Sequence, residues 1–171
     1  MEPLIFPGTL CRIEGTKGVT NPSQMRFREA TTADIPYMHK VRTSVTENVL
    51  SHPDKITVAD YDAFLSEKGK GWVCETGDII TGFSIVDLQG KNVWALFVMP
   101  GNERQGIGKH LHDIMLTWYF NNTKETIWLG TSPGTRAEHF YREAGWKAVG
   151  NSGNDEVRFE MDYETWKAGL R

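Results

Sequence analysis

Residues 96–111 read LFVMPGNERQGIGKHL, and this stretch decides the interpretation of the chain. An apolar segment stops at Pro100, polar residues and two close glycines, Gly106 and Gly108, follow, and a helical pattern then resumes. The succession predicts a buried strand, a loop and a helix. Because backbone N–H groups at a helix N-terminus lack intrahelical partners, a glycine-rich entry suits an anion such as phosphate. A plain surface turn is the alternative.

Residues 103–111 match neither of two familiar phosphate-binding loop motifs. A P-loop requires Ser or Thr after its Gly-Lys pair, but His110 follows Gly108 and Lys109. It also requires a glycine five positions before Gly108, where Glu103 stands. The dinucleotide fingerprint GxGxxG fails at Leu111. The loop therefore predicts a phosphate site of another type.

The sequence upstream of the loop predicts one strand and two helices. Residues 25–30, MRFREA, alternate as a short strand does, and Thr32 and Asp34 begin the first helix. Pro53 interrupts the pattern and Thr57 opens the second helix. The apolar stripes are Ile35, Met38, Val41, Val45 and Val49 in the first helix, and Val58, Tyr61, Phe64 and Leu65 in the second.

After the second helix the spacing of the apolar residues changes, and the new spacing predicts the remaining elements. Segments 72–75, 79–87 and 92–98, joined by short turns, predict three antiparallel strands. After the loop come a helix with an apolar stripe, the strand TIWLGT, and a helix that ends at Gly145. The stretch from WKAV to EVRFEMD predicts a closing hairpin. Elements therefore follow the order strand, two helices, three strands, helix, strand, helix, two strands.

Length and composition indicate one folded domain. The chain has 171 residues, of which 39% are hydrophobic, enough for one core but too few for two. We expect a single domain over residues 25–171. Residues 1–24 are rich in Gly, Pro and Thr and form an N-terminal extension. Three interpretations of this extension stay open: disorder, packing on a neighbour, or a position upstream of a start at Met25.

Charge and composition argue against several classes of partner. With 19 basic and 22 acidic residues the net charge is −3, which favours neither nucleic acid nor an anionic membrane. No apolar run is long enough to span a bilayer, and the N-terminus does not resemble a signal peptide. Cys11 and Cys74 form no disulfide framework, and no metal-binding spacing occurs. We therefore expect a cytoplasmic protein without a metal.

Two linked motifs carry a resemblance to the GCN5-related N-acetyltransferase (GNAT) superfamily. ERQGIG, within residues 96–111, is similar to that family's pyrophosphate loop, Q/RxxGxG/A, between the fourth strand and the third helix. RAEHFYREAGW, residues 136–146, resembles its AxxFYxxxGF segment. Two departures stand out: Glu103 replaces Gln or Arg, and Gly134 stands where asparagine is common. The resemblance implies an α/β fold, a mixed and mostly antiparallel sheet of about six to seven strands with helices on both faces.

The resemblance also implies acetyl-CoA as acetyl donor and a set of residues that bind it. Main-chain groups of the fourth strand would contact the pantetheine, with the Val98 amide near the thioester carbonyl. Tyr141 would donate a proton to the departing thiolate; simple packing in the core is its alternative role. The implied cofactor-binding residues are Leu96, Phe97, Val98, Arg104, Gln105, Gly106, Ile107, Gly108, Lys109, Phe140 and Tyr141.

The catalytic base is less well marked. Many relatives place a carboxylate on the fourth strand, but Asn92 and Trp94 occupy that region here. Glu47 and Asp87 are the candidates, each with a solvated or capping role as its alternative, and an ordered water could also take the proton. His110 and a second histidine at position 112 lie two residues apart on a helix, so they cannot form a ligand pair and are expected near the surface.

The function implied is transfer of acetyl from acetyl-CoA to a primary amine, most simply that of a small molecule, by direct attack. Two alternatives stay open: a non-catalytic acyl-CoA binding module and a protein N-terminal acetyltransferase. An interaction protein acting through residues 1–24 is a third. The resemblance also makes a homodimer plausible.

Overall fold

A seven-stranded sheet runs through the protein and carries helices on both faces. The computed structural model describes residues 24–48 and 55–170. The strands are β1 (Met25–Glu29), β2 (Gly69–Thr76), β3 (Ile79–Asp87), β4 (Asn92–Val98), β5 (Ile127–Thr131), β6 (Lys147–Asn151) and β7 (Val157–Met161), and the helices are α1 (Ile35–Ser44), α2 (Val58–Ala63), α3 (Ile107–Asn122), α4 (Arg136–Glu143) and α5 (Tyr163–Gly169). In those two ranges no helix is both long enough and apolar enough to cross a membrane.

The strand order is β1-β2-β3-β4-β5-β7-β6, which confirms the predicted mixed and mostly antiparallel sheet. Every neighbouring pair is antiparallel except β4 and β5, which run parallel. These two strands share a single register position, Asn92 opposite Trp128. Beyond that position their edges are not paired with each other, so the sheet is split along part of its length.

Each face of the sheet is covered by helices because the central strands are apolar on both sides. On one face α3 packs through Ile107, Leu111 and Met115, and on the other α1 packs through Ile35, Met38 and Val41. Strand β3, buried almost throughout, lies between them. A continuous apolar run such as IITGFSIV is the expected signature of a strand buried on both faces.

Glycine at position 82 lets α3 approach the sheet closely. A Cβ atom there would lie 2.8 Å from Cγ2 of Ile107 and 3.2 Å from Cδ1 of Leu111, closer than side chains normally pack. The helix that follows the loop is thus seated directly on β3. This contact fixes where the N-terminus of α3 lies relative to the end of β4.

Some apolar residues that the sequence analysis assigned to the buried faces of the first two helices lie outside these helices or are exposed. Helix α1 ends at Ser44, and Val45 is extended, with φ −73° and ψ 150°, so it does not belong to the helix. Val58 is 68% exposed and therefore does not share the buried face expected of it in α2. After α2 the chain makes a π-helical turn over Phe64–Lys68. Val49, Pro53 and the extension up to residue 23 lie outside the described residues.

The C-terminal helix α5 is absent from the sequence prediction. Its N-cap is Asp162, whose side chain accepts a hydrogen bond from the Thr165 amide at 2.7 Å. Its Trp166 ring stacks on Phe120 of α3, with ring centroids 5.0 Å apart. The Asp-x-x-Thr spacing is a capping signal that could have marked this helix.

Three charged side chains join the first strand to the first helix and to β2. The guanidinium of Arg28 donates to both carboxylate oxygens of Asp34 at 2.8 Å, and to Glu75 at 2.6 Å. The Asp34 carboxylate also accepts from the Thr31 amide, which closes a capping box at the entry to α1. The Arg28 guanidinium holds the pKa of the buried Asp34 carboxyl below its usual range.

Replacing Asp34 with Asn should lower the free energy of unfolding by about 3 kcal/mol at pH 7, because a buried ion pair loses one partner. A lowered folded-state pKa stabilises the protein above the unfolded value of about 3.9, and the contribution is lost as pH falls through the folded pKa. The difference between wild type and Asp34→Asn should therefore shrink in acid. Urea unfolding at several pH values measures this. A gap that stays constant down to pH 2 contradicts the assignment.

Candidate functional site

The split between β4 and β5 opens into a cavity of about 390 Å³. Its walls come from the end of β4, the loop before α3, the start of α3, helix α4 and the segment that follows α1. The lining residues are Val45, Thr46, Glu47, Asn48, Leu96, Phe97, Val98, Pro100, Asn102, Glu103, Arg104, Gly106, Ile107, Gly108, Lys109, Arg136, Ala137, Phe140 and Tyr141. The loop and the helical motif recognised in the sequence thus meet in one place.

The loop before α3 leaves amide groups free at the helix N-terminus. Gly101, Arg104 and Gly106 have positive φ angles of 91°, 61° and 82°, which turn the chain sharply. Gly106 is the N-cap and has no side chain to cap the helix. The intrahelical ladder begins with the His110 amide donating to the Gly106 carbonyl at 3.0 Å. The amides of residues 107–109 therefore precede the ladder and are available to an anion.

The edge of β4 offers one further amide to the gap. The Met99 amide donates to the Thr81 carbonyl of the β3 side at 2.7 Å. Successive N–H groups of a strand point to opposite edges. The Val98 amide therefore points away from β3 and toward the split between β4 and β5.

Acidic and basic side chains meet at the mouth of the cavity. The Glu103 carboxylate accepts from the Gly101 amide at 2.8 Å and from Nη2 of Arg136 at 3.3 Å. Hydrogen bonds from loop amides, with a smaller contribution from Arg136, lower the pKa of Glu103. This carboxylate is therefore ionised at neutral pH. Arg104 and Lys109 also line the cavity, and the Lys109 ammonium is paired with the Asp113 carboxylate at 2.6 Å.

The segment after α1 is tied to the opposite side of the cavity. Oδ1 of Asn48 accepts from the Ser132 amide at 2.8 Å, and a carboxylate oxygen of Glu47 accepts from the Arg136 amide at 2.9 Å. Asn48 adopts a positive φ of 54°, which asparagine tolerates well. These contacts explain why α1 stops at Ser44: continuing the helix would withdraw both side chains from the end of β5 and the start of α4.

Tyr141 lies at the inner end of the cavity, on helix α4. The helix is capped by Thr135, whose hydroxyl accepts from the Glu138 amide, and Gly145, just past its C-terminal end, has a positive φ of 90°. Only 6% of the tyrosine is exposed. Burial raises the pKa of its hydroxyl well above the usual range, so the phenol stays protonated at neutral pH.

His112 is buried behind Tyr141, so the expectation of a surface position is wrong for this residue. Its Nε2 accepts from Nε1 of Trp146 at 2.9 Å, and its Nδ1 lies 3.0 Å from a carboxylate oxygen of Asp113. Since Nε2 is an acceptor, the ring is the tautomer with hydrogen on Nδ1. The imidazole lies 6.4 Å from the Tyr141 ring, centroid to centroid, and supports it.

The structure brings most of the predicted site residues together. Every predicted cofactor-binding residue lines the cavity except Gln105, which is exposed on the loop. Glu47 also lines the cavity. Asp87 does not: its carboxylate accepts from the Gly90 amide at 2.8 Å and lies 3.4 Å from the Asn92 amide group. It therefore caps the turn at the far end of β4 and is not available as a base.

Several lining residues were missed by sequence reasoning. Those not assigned to the site are Val45, Thr46, Asn48, Pro100, Asn102 and Ala137, and Arg136 had no fixed role. The sequence does carry a weak signal for the placement of Val45, Thr46 and Asn48. VTEN carries two β-branched residues and ends in asparagine, a residue suited to positive φ, so it favours an extended exit from α1 over another helical turn.

Comparison with known families gives a direct match. The model for the family described as Acetyltransferase (GNAT) domain matches residues 43–160, well over half of the chain. No curated protein sequence matches. The matched region runs from the end of α1 to the end of β7 and contains every residue that lines the cavity.

Solved structures share the fold at low sequence identity. The PaiA N-acetyltransferase from Thermoplasma acidophilum, in complex with coenzyme A, is 13% identical, with a TM-score of 0.71 over 82% of this chain and 99% of that one. yncA from Salmonella typhimurium, solved with acetyl-CoA, is 15% identical, with a TM-score of 0.68 over 82% and 94%. The ribosomal-protein-S18-alanine N-acetyltransferase from Escherichia coli is 15% identical, with a TM-score of 0.64 over 81% and 92%.

Proposed function

Because the chain belongs to the GNAT acetyltransferase family, we propose that it transfers acetyl from acetyl-CoA to the primary amine of a small-molecule acceptor. The observation that carries the proposal is the split between β4 and β5. It opens into a cavity with free helix amides at one end and the protonated Tyr141 hydroxyl at the other. The structures of similar fold solved with coenzyme A and acetyl-CoA support this choice of donor.

The residues of the cavity fit a CoA thioester. The amides of residues 107–109 and the positive charge of Arg104 and Lys109 suit a pyrophosphate. The edge of β4 that faces β5 is unpaired beyond Asn92, so main-chain groups of residues 96–98 can bind an amide-containing chain in place of a strand. Acetyl-CoA supplies an activated acyl group. The Val98 amide stabilises the negative charge that develops on its carbonyl oxygen during attack.

Proton transfer is assigned to two side chains of the cavity. The amine forms a bond to the acyl carbon, and the carbon–sulfur bond breaks. Tyr141, which its raised pKa keeps protonated at neutral pH, donates its hydroxyl proton to the leaving sulfur. Glu47 takes the proton that the amine must lose, directly or through a water molecule. Its contact with the Arg136 amide holds the carboxylate at the cavity wall.

One observation favours a second candidate function. The Glu103 carboxylate accepts from a loop amide and from Arg136, so it uses groups that an incoming phosphate could use. A module that binds acyl-CoA without turnover is consistent with this arrangement. Binding of acetyl-CoA without thiol release across a broad amine screen distinguishes the module from an enzyme. A peptide acceptor that outperforms small amines in the same screen would instead point to a protein N-terminal acetyltransferase.

Gly108→Trp should abolish binding of acetyl-CoA. A Cβ atom at position 108 meets only Cγ2 of Val98, at 3.6 Å, so an indole there extends into the cavity instead of the core. Gly169→Trp is the matched control, because a Cβ atom at that site meets nothing within 4 Å and the site is outside the cavity. Calorimetric titration should show micromolar binding to wild type and control only. Equal binding to all three would place the donor elsewhere.

Tyr141→Phe should lower kcat by about 100-fold or more while the Kd for acetyl-CoA changes little, because only proton donation is removed. The readout is release of free thiol with an acceptor found in the amine screen. Tyr163→Phe, on α5 and outside the cavity, is the control and should keep wild-type kcat. Undiminished turnover in Tyr141→Phe would leave this tyrosine with a packing role alone.

Glu47→Gln should reduce kcat while the Kd for acetyl-CoA changes little. Glutamine keeps an oxygen that accepts from the Arg136 amide but cannot take a proton, so the variant separates the two roles of Glu47. Thiol release with an acceptor from the amine screen measures kcat, and Asp87→Asn, in the distant turn, should leave it unchanged. If Glu47→Gln keeps wild-type kcat, a water molecule is the proton acceptor.

A further inference from the structure

His112 and Trp146 form a buried hydrogen bond between helix α3 and the segment just after α4. Nε1 of Trp146 donates to Nε2 of His112 at 2.9 Å, and the two residues are only 4% and 5% exposed. Among the described residues, no other side-chain hydrogen bond joins α3 to residues 136–146. Apolar packing has no preferred direction, whereas a satisfied buried hydrogen bond specifies one arrangement. This bond therefore fixes how α4 lies against α3.

The bond lies one helical turn from each end of the proposed donor site. His112 is four residues after Gly108, so it stands one turn above the free amides on the same face of α3. On the other side, the Trp146 amide donates to the Tyr141 carbonyl at 3.0 Å, and the two rings meet edge to face with centroids 5.6 Å apart. One hydrogen bond thus connects the proposed phosphate-binding amides with the proposed proton donor.

Asp113 holds the imidazole in the form that this bond requires. An indole N–H can only donate, so Nε2 of the imidazole must be unprotonated and the hydrogen must lie on Nδ1. One carboxylate oxygen of Asp113 is 3.0 Å from Nδ1 and accepts that hydrogen, while the other accepts from Nζ of Lys109 at 2.6 Å. Hydrogen bonds therefore run without interruption from Lys109, which lines the cavity, to the indole beside Tyr141.

The donor makes the spacing of these two ends important. Pyrophosphate and thioester sulfur belong to one molecule, so the amides of α3 and the Tyr141 hydroxyl must lie a matching distance apart. Proton donation requires the hydroxyl within about 3 Å of its acceptor. A misplacement of about 1 Å can lower a rate about 100-fold. The rings of Phe140 and Phe159 also surround Tyr141, but such contacts do not by themselves fix its position along the cavity.

We propose that His112 is a positioning residue of the acetyl-transfer site and that its hydrogen bond to Trp146 holds the Tyr141 hydroxyl at the leaving sulfur. The inference rests on the proposed acetyltransferase function and adds to it a residue that does not line the cavity. Because His112 acts through Tyr141, it contributes to turnover only when Tyr141 can donate its proton. A histidine that merely fills the core would contribute to stability alone.

His112→Phe removes the acceptor of the bond and keeps a ring of similar size. We expect kcat for thiol release to fall about 10-fold or more, while the Kd for acetyl-CoA changes less than about threefold, because the amides of α3 are untouched. His112→Gln, which can place an oxygen near the position of Nε2, should recover most of kcat. Trp166→Leu is the control: it removes a ring contact with Phe120 of α3 outside the cavity, so it should lower the thermal midpoint and keep kcat.

Combining His112→Phe with Trp146→Phe separates positioning from stability. Each single substitution leaves one buried polar group unpaired, so each should lower the thermal midpoint. The double variant removes both groups, so its loss should be smaller than the sum of the two single losses. The directional bond is absent from all three variants, and kcat should therefore stay low in the double variant. Recovery of kcat together with the thermal midpoint would overturn the inference.

The sharpest comparison uses the Tyr141→Phe background. If His112 acts through the tyrosine hydroxyl, adding His112→Phe to Tyr141→Phe should lower kcat by less than about twofold. A further loss as large as that in wild type would show that His112 acts on the fold or on the donor, and it would overturn the inference. Should His112→Phe fail to fold, Trp146→Phe, which removes the donor of the same bond, takes its place.

Failure of this inference can be distinguished from failure of the proposed function. Undiminished turnover in Tyr141→Phe alone overturns the positioning role and leaves the acetyltransferase function standing. Absence of acetyl-CoA binding to wild type is a separate result, because it removes the acetyltransferase function itself.

Discussion

The parting of the parallel strands β4 and β5 is the constraint on which the site depends. A parallel pair normally continues for several residues, but here only Asn92 faces a partner, Trp128. Main-chain groups beyond that point must find other partners, since unpaired backbone groups are costly when removed from water. The split therefore leaves space for a ligand, and it also leaves main-chain groups with which a ligand can pair. The loop before α3, the start of α3, helix α4 and the segment after α1 form the other walls of the cavity around this opening.

Much of this architecture could be predicted because its signals are local. Strands β3 and β4 follow apolar patterns and have the predicted bounds, and helix α3 forms where an apolar stripe after the loop predicts a helix. The C-terminal end of α1 could not be read in the same way. Helix α1 stops where Glu47 and Asn48 bond to groups more than 80 residues away in sequence. No local pattern encodes such a contact.

The distinction between local sequence patterns and contacts between distant residues also applies to the site. The loop glycines and Tyr141 belong to motifs with fixed spacing, so the sequence identified them together. His112 lies in an ordinary amphipathic helix, and only the fold shows that it is buried beside Tyr141 and hydrogen-bonded to Trp146. Asp87 failed as a candidate base for the same reason. Residue type identified candidate site residues in the sequence, but their positions in the fold decided which of them line the cavity.

The bulge at Trp94 has a consequence for the strand beyond it. Along a strand, N–H groups alternate between the two edges, and one extra residue reverses that alternation for everything that follows. With the bulge, the Met99 amide bonds to β3 and the Val98 amide faces the gap. Without it, Phe97 and Met99 would direct their amides into the gap instead. A single inserted residue, Trp94, which has no partner on β3, thus determines which main-chain amide faces the gap four positions further along the strand.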